Sequence, residues 1–449
     1  MSQINRDKLK SAYKKELKLF NSSHKKSKKL FLQSSKNLLG GVPMPWMLRW
    51  AGGFPIFVKY AKGAHFTDVD GNKYVDFCLG DTGSMVGHSP EKIIKKISKQ
   101  LQNGITCMLP TEDAIFIGKE LEKRFGLKFW QFATSATDAN RFSIRLARKI
   151  TGRNKILAFN QCYHGTVDET LAVLENGKTI SKPGAIGPPI DPKETTKIIE
   201  FNNLIELEKS LATKKIAVVI MEPVMTNVGI IHPILGFHKK LRELTKKYGT
   251  LLLIDETHTI SAGPGGYTKL KNLKPDIIVI GKSIASGIPA AVYGLNKEIA
   301  KKFLSQVSKN DIDVSGLGGT LAGNILTLTA MRATLSESLN EKYFKYTIPL
   351  ANKWALGVKS VIKKYKLPWS VSTLGCRAEY RFTKNPPLNG GESAASTDFD
   401  IENFLHLYAI NRGILLTPFH NMALMCIETN PSDIKKHTKV FKDAISLIV

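Results

Sequence analysis

The sequence predicts an α/β fold, with a mostly parallel sheet between helices and a smaller α+β domain built from both chain ends. Three observations predict it. Short runs of Val, Ile and Leu without polar alternation recur between Trp130 and Tyr293, the signature of strands buried on both faces. Helix-length segments separate these runs, and that alternation belongs to a parallel sheet covered on both sides. Outside this core the pattern changes to a meander ahead of Leu79 and mixed strand and helix after Val371.

In chain order, residues 1–50 read as a basic helical arm and linker. Leu9, Tyr13, Leu17 and Phe20 lie at helical spacing, and Gly40-Gly41-Val42-Pro43 breaks any helix. The arm is expected to pack on the surface or on a neighbouring subunit. Residues 51–88 form the first part of the small domain, with strands at Pro55–Tyr60, Ala64–Val69 and Lys73–Leu79 and a turn at Asp70-Gly71-Asn72. Residues 89–320 form the large domain. A helix near residues 90–103 leads into strands at Trp130–Ala133, Lys155–Phe159, Ile216–Met221, Thr250–Ile254, Ile277–Ile280 and Ala290–Tyr293. Residues 321–449 supply a helical stretch to about Tyr365 and the rest of the small domain, with strands at Arg377–Phe382 and Gly413–Thr417. Lys384–Glu392 reads as an exposed loop.

Composition excludes several classes. A hydrophobic fraction of 43% and a charged fraction of 23% over 449 residues are those of a folded chain with ample core. The net charge of +27 raises nucleic acid as a partner, but Lys is scattered over helical faces with little Arg, so no nucleic-acid surface is expected. Five widely spaced cysteines with no CxxC argue against a disulfide framework or zinc, and no metal is expected. No apolar run reaches membrane length, so no membrane partner is expected. The Lys-rich start lacks a secretory core, and the cytoplasm is the expected compartment.

In such a sheet, ligands bind beyond the carboxyl ends of the strands. That rule gathers Ser135-Ala136-Thr137, Glu222, Asp255-Glu256 and Lys282 into one place. Lys282 follows Ile277-Ile278-Val279-Ile280-Gly281, and two readings are open. It either snorkels to water or, being desolvated, serves as an amine nucleophile for Schiff-base chemistry. Asp255 ends Leu251-Leu252-Leu253-Ile254; it either caps a loop or pairs with a buried cation, and beside a Schiff-base Lys it suits a pyridinium nitrogen. The small residues before the helix that starts near Ala136 either cap it or open its N-terminus to a phosphate. Tyr163 is a core residue or a stacking surface for a flat ring, and His164 is structural or catalytic.

Together these residues resemble the class III (ω-type) aminotransferases of pyridoxal 5'-phosphate (PLP) fold type I, and within them the glutamate-1-semialdehyde 2,1-aminomutase-like branch. The markers are Asp68-Val69-Asp70-Gly71, Gly87-His88, Ser135-Ala136-Thr137-Asp138-Ala139, Cys162-Tyr163-His164-Gly165, Glu222-Pro223-Val224, Asp255-Glu256, Gly281-Lys282 and Gly319-Thr320. The resemblance implies a seven-stranded-type sheet, PLP in Schiff-base linkage to Lys282, Asp255 at the pyridine nitrogen and Tyr163 against the ring. It places Ser135, Ala136 and Thr137 at the phosphate and His164, Glu222, Asn227 and Thr257 around the pocket. Gly319 and Thr320 match the position at which the partner of a homodimer completes a shared site.

The chain also departs from the branch. Ala136 and Asp138 replace Gly and Glu of the phosphate turn, and Met422 stands where an acidic residue is usual. Arg49 only roughly matches the carboxylate-binding Arg, and Asp81 replaces an aromatic. These departures bear on the substrate, for which Arg49, Asp81, His258, Arg377 and Met422 are the candidate contacts. Arg377, Glu379 and Arg381 share one strand face, as an anion site or as a surface salt-bridge ladder. The expected activity is transfer of an amino group between an amine or amino acid and a carbonyl compound. The alternatives are a 2,1-aminomutase, a PLP-dependent lyase and a non-catalytic polyanion-binding protein.

Overall fold

The structure is a computed structural model that describes residues 4–306 and 315–449. It divides into two compact units. Of the described residues, the large unit comprises those at 91–306, 315–344 and 387–395, and the small unit those at 4–90, 345–386 and 396–449.

The large unit is built on a seven-stranded sheet. Its strands are β1 (Phe129–Ala133), β2 (Lys155–Phe159), β3 (Thr196–Ile199), β4 (Ile216–Met221), β5 (Leu251–Asp255), β6 (Ile277–Ile280) and β7 (Ala291–Leu295). The spatial order is β1-β7-β6-β5-β4-β2-β3. Every pairing is parallel except those of β7, which is antiparallel to both β6 and β1. Strands β4, β5 and β6 are buried at every position, as their unbroken apolar sequence requires. Strand β3 has no counterpart among the strands read from the sequence. It is four residues long, lies at the edge and keeps Lys197 half-exposed, so it lacks an apolar run.

The large unit extends past residue 320, where the sequence reading ends it. Helix Ile325–Glu337 packs on helices Glu91–Leu101 and Glu112–Phe125 and on the turn Lys282–Ala285, which binds it to this unit. The stretch to Tyr365 is two helices, Ile325–Glu337 and Glu341–Lys364. Lys384–Glu392 is not simply an exposed loop. It opens a short helix, Gly390–Ala395, whose first Gly is buried so closely against the Asn160 carbonyl that a Cβ would lie 3.1 Å from Gln161 Cβ and clash with that oxygen.

The small unit holds a four-stranded and a three-stranded sheet. The first pairs Val58–Lys62, His65–Asp68 and Lys73–Asp76 as an antiparallel meander and adds Ile414–Leu415 parallel to the last. The second pairs Ser370–Leu374, Arg377–Arg381 and Met422–Leu424. The basic arm belongs to this unit. Phe20 is 0% exposed in a cluster with Phe54, Phe66, Tyr74 and Leu407. The adjoining His24 Nε2 lies 2.6 Å from the Tyr74 hydroxyl, and Glu16 accepts two hydrogen bonds from Arg412. All five cysteines are free. No helix of the described residues is long and apolar enough to cross a membrane.

Candidate active site

The exits of β5 and β6 meet the N-terminus of helix Ala136–Thr151. Ser135 caps that helix by accepting from the Asp138 amide at 3.2 Å, which leaves the first-turn N–H groups at the strand ends. Gly281 packs against Ala136 so closely that a Cβ on it would lie 2.8 Å from the Ala136 methyl. The Gly281 amide donates to Thr257 Oγ1 at 3.2 Å, and the Thr257 amide donates to Asp255 Oδ1 at 3.1 Å. Thr257 therefore ties the Asp255 strand to the turn that carries Lys282. Lys282 itself has φ +49, the left-handed region that a side chain occupies at some energetic cost.

Asp255 is buried and hydrogen-bonded on both carboxylate oxygens. His164 Nδ1 lies 3.0 Å from its Oδ2, and Asn140 Nδ2 donates to the same oxygen at 2.9 Å. Burial alone would raise the pKa of this carboxyl, but the hydrogen bonds from His164, Thr257 and Asn140 overturn that and hold it below the ordinary range. His164 is equally buried. Burial opposes its protonation, yet the neighbouring Cys162 sulfur and the Asp255 carboxylate raise its pKa above the usual imidazole value. The result is a carboxylate ionised at neutral pH and paired with His164 at the end of β5. Of the two readings open for Asp255, the structure supports a buried, charge-paired carboxylate.

Lys282 does not snorkel into bulk water. Its Nζ lies 2.5 Å from His258 Nε2 and it is half-buried. Tyr163 is half-buried on the turn after β2, where Gln161 with φ +64 redirects the chain. Gly165 follows, and there a Cβ would sit 2.8 Å from Thr137 Cα, so this turn lies directly on the helix N-terminus. Asn227 Nδ2 donates to the Gln161 carbonyl at 2.9 Å, which braces the same turn. Glu222 is buried and accepts from the Thr226 amide and hydroxyl. Glu256 points elsewhere and serves the fold, accepting from Thr259, Tyr267 and Thr268.

The profile of the family described as aminotransferase class-III matches residues 47–445. The chain belongs to the class III aminotransferase family. A glutamate-1-semialdehyde 2,1-aminomutase of Thermus thermophilus is 31% identical over 434 residues, covering 93% of this chain and 99% of the relative. A crystal structure of a glutamate-1-semialdehyde-aminomutase from Pseudomonas aeruginosa PAO1 in complex with PMP is 43% identical. It covers 99% of this chain and 100% of that one, with a TM-score of 0.97. An omega-transaminase from Sphaerobacter thermophilus, 24% identical over 94% of this chain and 97% of its own, shares the fold with a TM-score of 0.85.

The cofactor of this class III aminotransferase is PLP, and the residues present fit it. A lysine amine, a carboxylate held ionised and an open helix N-terminus lie together at one end of the sheet. Asn140 Oδ1 is buried there without a hydrogen-bond partner, so it retains polar capacity toward a ligand. Gly319 and Thr320 are exposed in this chain.

Of the remaining candidates, Arg49 is exposed and Asp81 is half-buried, both in the small unit. Arg377 is 0% exposed; its guanidinium donates to Thr82 Oγ1 at 2.8 Å and approaches Met422 Sδ at 3.5 Å. The surface salt-bridge ladder is excluded, because Glu379 and Arg381 are also buried. Glu379 faces His420 at 3.4 Å, and this carboxylate raises the His420 pKa against the opposing effect of burial. The sequence reading missed Asn140 and Thr226. Asn140 had a signal: it shares a helix face with Ser143, Ile144 and Ala147, and an amide on such a face needs a partner.

Proposed function

We propose that this chain is a PLP-dependent aminomutase of the glutamate-1-semialdehyde type, which moves an amino group between neighbouring carbons of one small substrate. The observation that carries this reading is the near-complete, two-sided match to relatives of that name, together with a Lys282, Asp255 and His164 constellation able to serve it. Bound PLP supplies an aldehyde that condenses with amines and a ring that takes up the electron pair left when a proton departs from carbon. Lys282 would hold the cofactor and would take and return the proton at the substrate carbon bearing nitrogen. Asp255, charged through His164, Thr257 and Asn140, keeps the ring nitrogen protonated. The Ala136–Thr151 N-terminus receives the phosphate. Exposed Thr320 suits completion of that site by a second copy of the chain in a homodimer.

One observation favours transfer between two molecules instead. Met422 lies beside the Arg377 guanidinium, and the resemblance matches it to the position where the aminomutase branch usually carries an acid. The test is to mix the PLP-loaded protein with glutamate-1-semialdehyde and, separately, with a panel of amines lacking any acceptor. An isomeric amine formed from the semialdehyde supports the aminomutase. Stoichiometric PMP with a carbonyl product and no isomer would refute it in favour of an aminotransferase, and steady ammonia release would refute it in favour of a lyase. Lys282→Ala should abolish both turnover and the visible band of the Lys-bound cofactor.

A further inference from the structure

A hydrogen-bonded line runs from Lys282 into the interior. Lys282 Nζ lies 2.5 Å from His258 Nε2, and His258 Nδ1 lies 2.7 Å from Thr226 Oγ1. Thr226 Oγ1 in turn donates to Glu222 Oε2, while the Thr226 amide donates to Glu222 Oε1 at 3.2 Å. Glu222 is 6% exposed at the end of β4, Thr226 is 1% exposed, and His258 is half-buried just past β5.

The direction of each bond follows from counting protons. An ionised carboxylate only accepts, so the single hydroxyl proton of Thr226 goes to Glu222. The hydroxyl oxygen must then accept from His258, which places the imidazole proton on Nδ1. Nε2 is left with a lone pair, and that lone pair faces Lys282. We infer that Glu222, Thr226 and His258 form a hydrogen-bond line of fixed polarity that holds Lys282 as a donor and stabilises its ammonium form.

The consequence for the reaction is specific. When Lys282 removes a proton from a substrate carbon, the C–H bond breaks and a third N–H bond forms on Nζ. The electron pair stays with the substrate and ring. The ammonium so formed donates to His258 Nε2, and its charge is balanced along the line by Glu222. The same proton is then held in place for return to a carbon, whether of the same molecule or after exchange with a second. His258 and Thr226 are positioning residues in this scheme. They act through Lys282, and the inference requires only that Lys282 is the reacting amine.

Other titratable groups lie near the line. Asp255 and His164 pair with each other, and Cys162 lies beside His164. His238 lies 2.9 Å from the Pro223 carbonyl, and burial lowers its pKa to about 4, which leaves it neutral. Burial and the charge on Asp255 raise the Glu222 pKa, and the Thr226 hydroxyl and amide and the charge on His164 work against that rise.

The test uses the full chain freed of cofactor, with the acetylation rate of Lys282 by trace acetic anhydride followed from pH 6 to 11 by peptide mass spectrometry. His258→Leu removes the acceptor, and Thr226→Val removes the polarity. Each should lower the midpoint of Lys282 reactivity by about one pH unit, a tenfold rise in free amine below the midpoint. Glu222→Gln can reverse the line, because its amide can donate to Thr226, so it should lower the midpoint as well. Thr226→Ser keeps every bond and should match the unaltered protein. Midpoints unmoved or raised in His258→Leu and Thr226→Val, with melting temperatures unchanged, overturn the inference. A shift in His258→Leu without one in Thr226→Val overturns the anchoring by Glu222. A merely structural role would alter the melting temperature and not the pH midpoint.

Discussion

Asn140→Leu tests whether the charge at the end of β5 is held as described. Asn140 is 0% exposed and donates to Asp255 Oδ2 at 2.9 Å and to the His164 carbonyl at 3.1 Å. Leu is close to Asn in size, so the cavity term is small and the loss is mainly of two hydrogen bonds. A bond to a charged group contributes about 1.5–3 kcal/mol and one to a buried carbonyl about 1 kcal/mol. Added apolar burial offsets about 1 kcal/mol of that. The net loss is about 1.5–3 kcal/mol, or about 3–12 °C in the melting temperature of a unit this size. Calorimetry of the cofactor-free protein would read it. The Asp255→Asn background should show a smaller effect, with a coupling of about 1 kcal/mol or more. The loss should also depend on pH. The folded carboxyl pKa is depressed, so the contribution is complete above the ordinary carboxylate pKa of about 3.9 and disappears as pH falls through the lower folded value. A melting temperature within about 1 °C of the parent, or an equal loss in both backgrounds, would refute the reasoning.

Three further outcomes are expected. Gly165→Ala places a methyl against Thr137 at a residue with φ +85, so it should cost about 1–3 kcal/mol and weaken PLP retention, measured by melting and by dialysis of the loaded protein. Phe20→Ala should cost about 3–5 kcal/mol in chemical denaturation, because the arm carries core of the small unit and is not an appendage. His406 and His437 are buried with pKa values lowered by that burial to about 4 and about 3. The unfolded chain binds their protons first, so stability should decline as pH drops below about 6.5 and the slope should flatten near the folded values. His437→Phe should remove part of that slope in melts run from pH 7 to 4.

The parts of this protein legible in its sequence are those where one physical requirement dominates. Strands β4, β5 and β6 are buried on both faces and could hardly be written other than as Val, Ile and Leu. Asp255 and Lys282 stood out because a charge at the end of such a run needs a partner. Strand β3 was illegible because an edge strand with a half-exposed Lys197 bears no such constraint. Thr226 was illegible for a different reason: its role is to pass a hydrogen bond between Glu222 and His258, two residues far from each other in sequence. Arg377 and Glu379 were visible as a pair, but whether that pair faced water depended on the arrangement of the small unit, and it is buried.

The reversal of β7 has a kinetic consequence. Ile277–Ile280 and Ala291–Leu295 are antiparallel neighbours joined by a short connection, and Lys282 sits inside that connection. Closing so small a loop costs little chain entropy, whereas β5 and β4 must be brought together across long crossovers. The lysine half of the site is thus a local structure, and the carboxylate half waits on the whole sheet. During refolding, amide protons of β6 and β7 should become protected from exchange before those of β5. The nucleophile would then be in place before there is anything for it to hold.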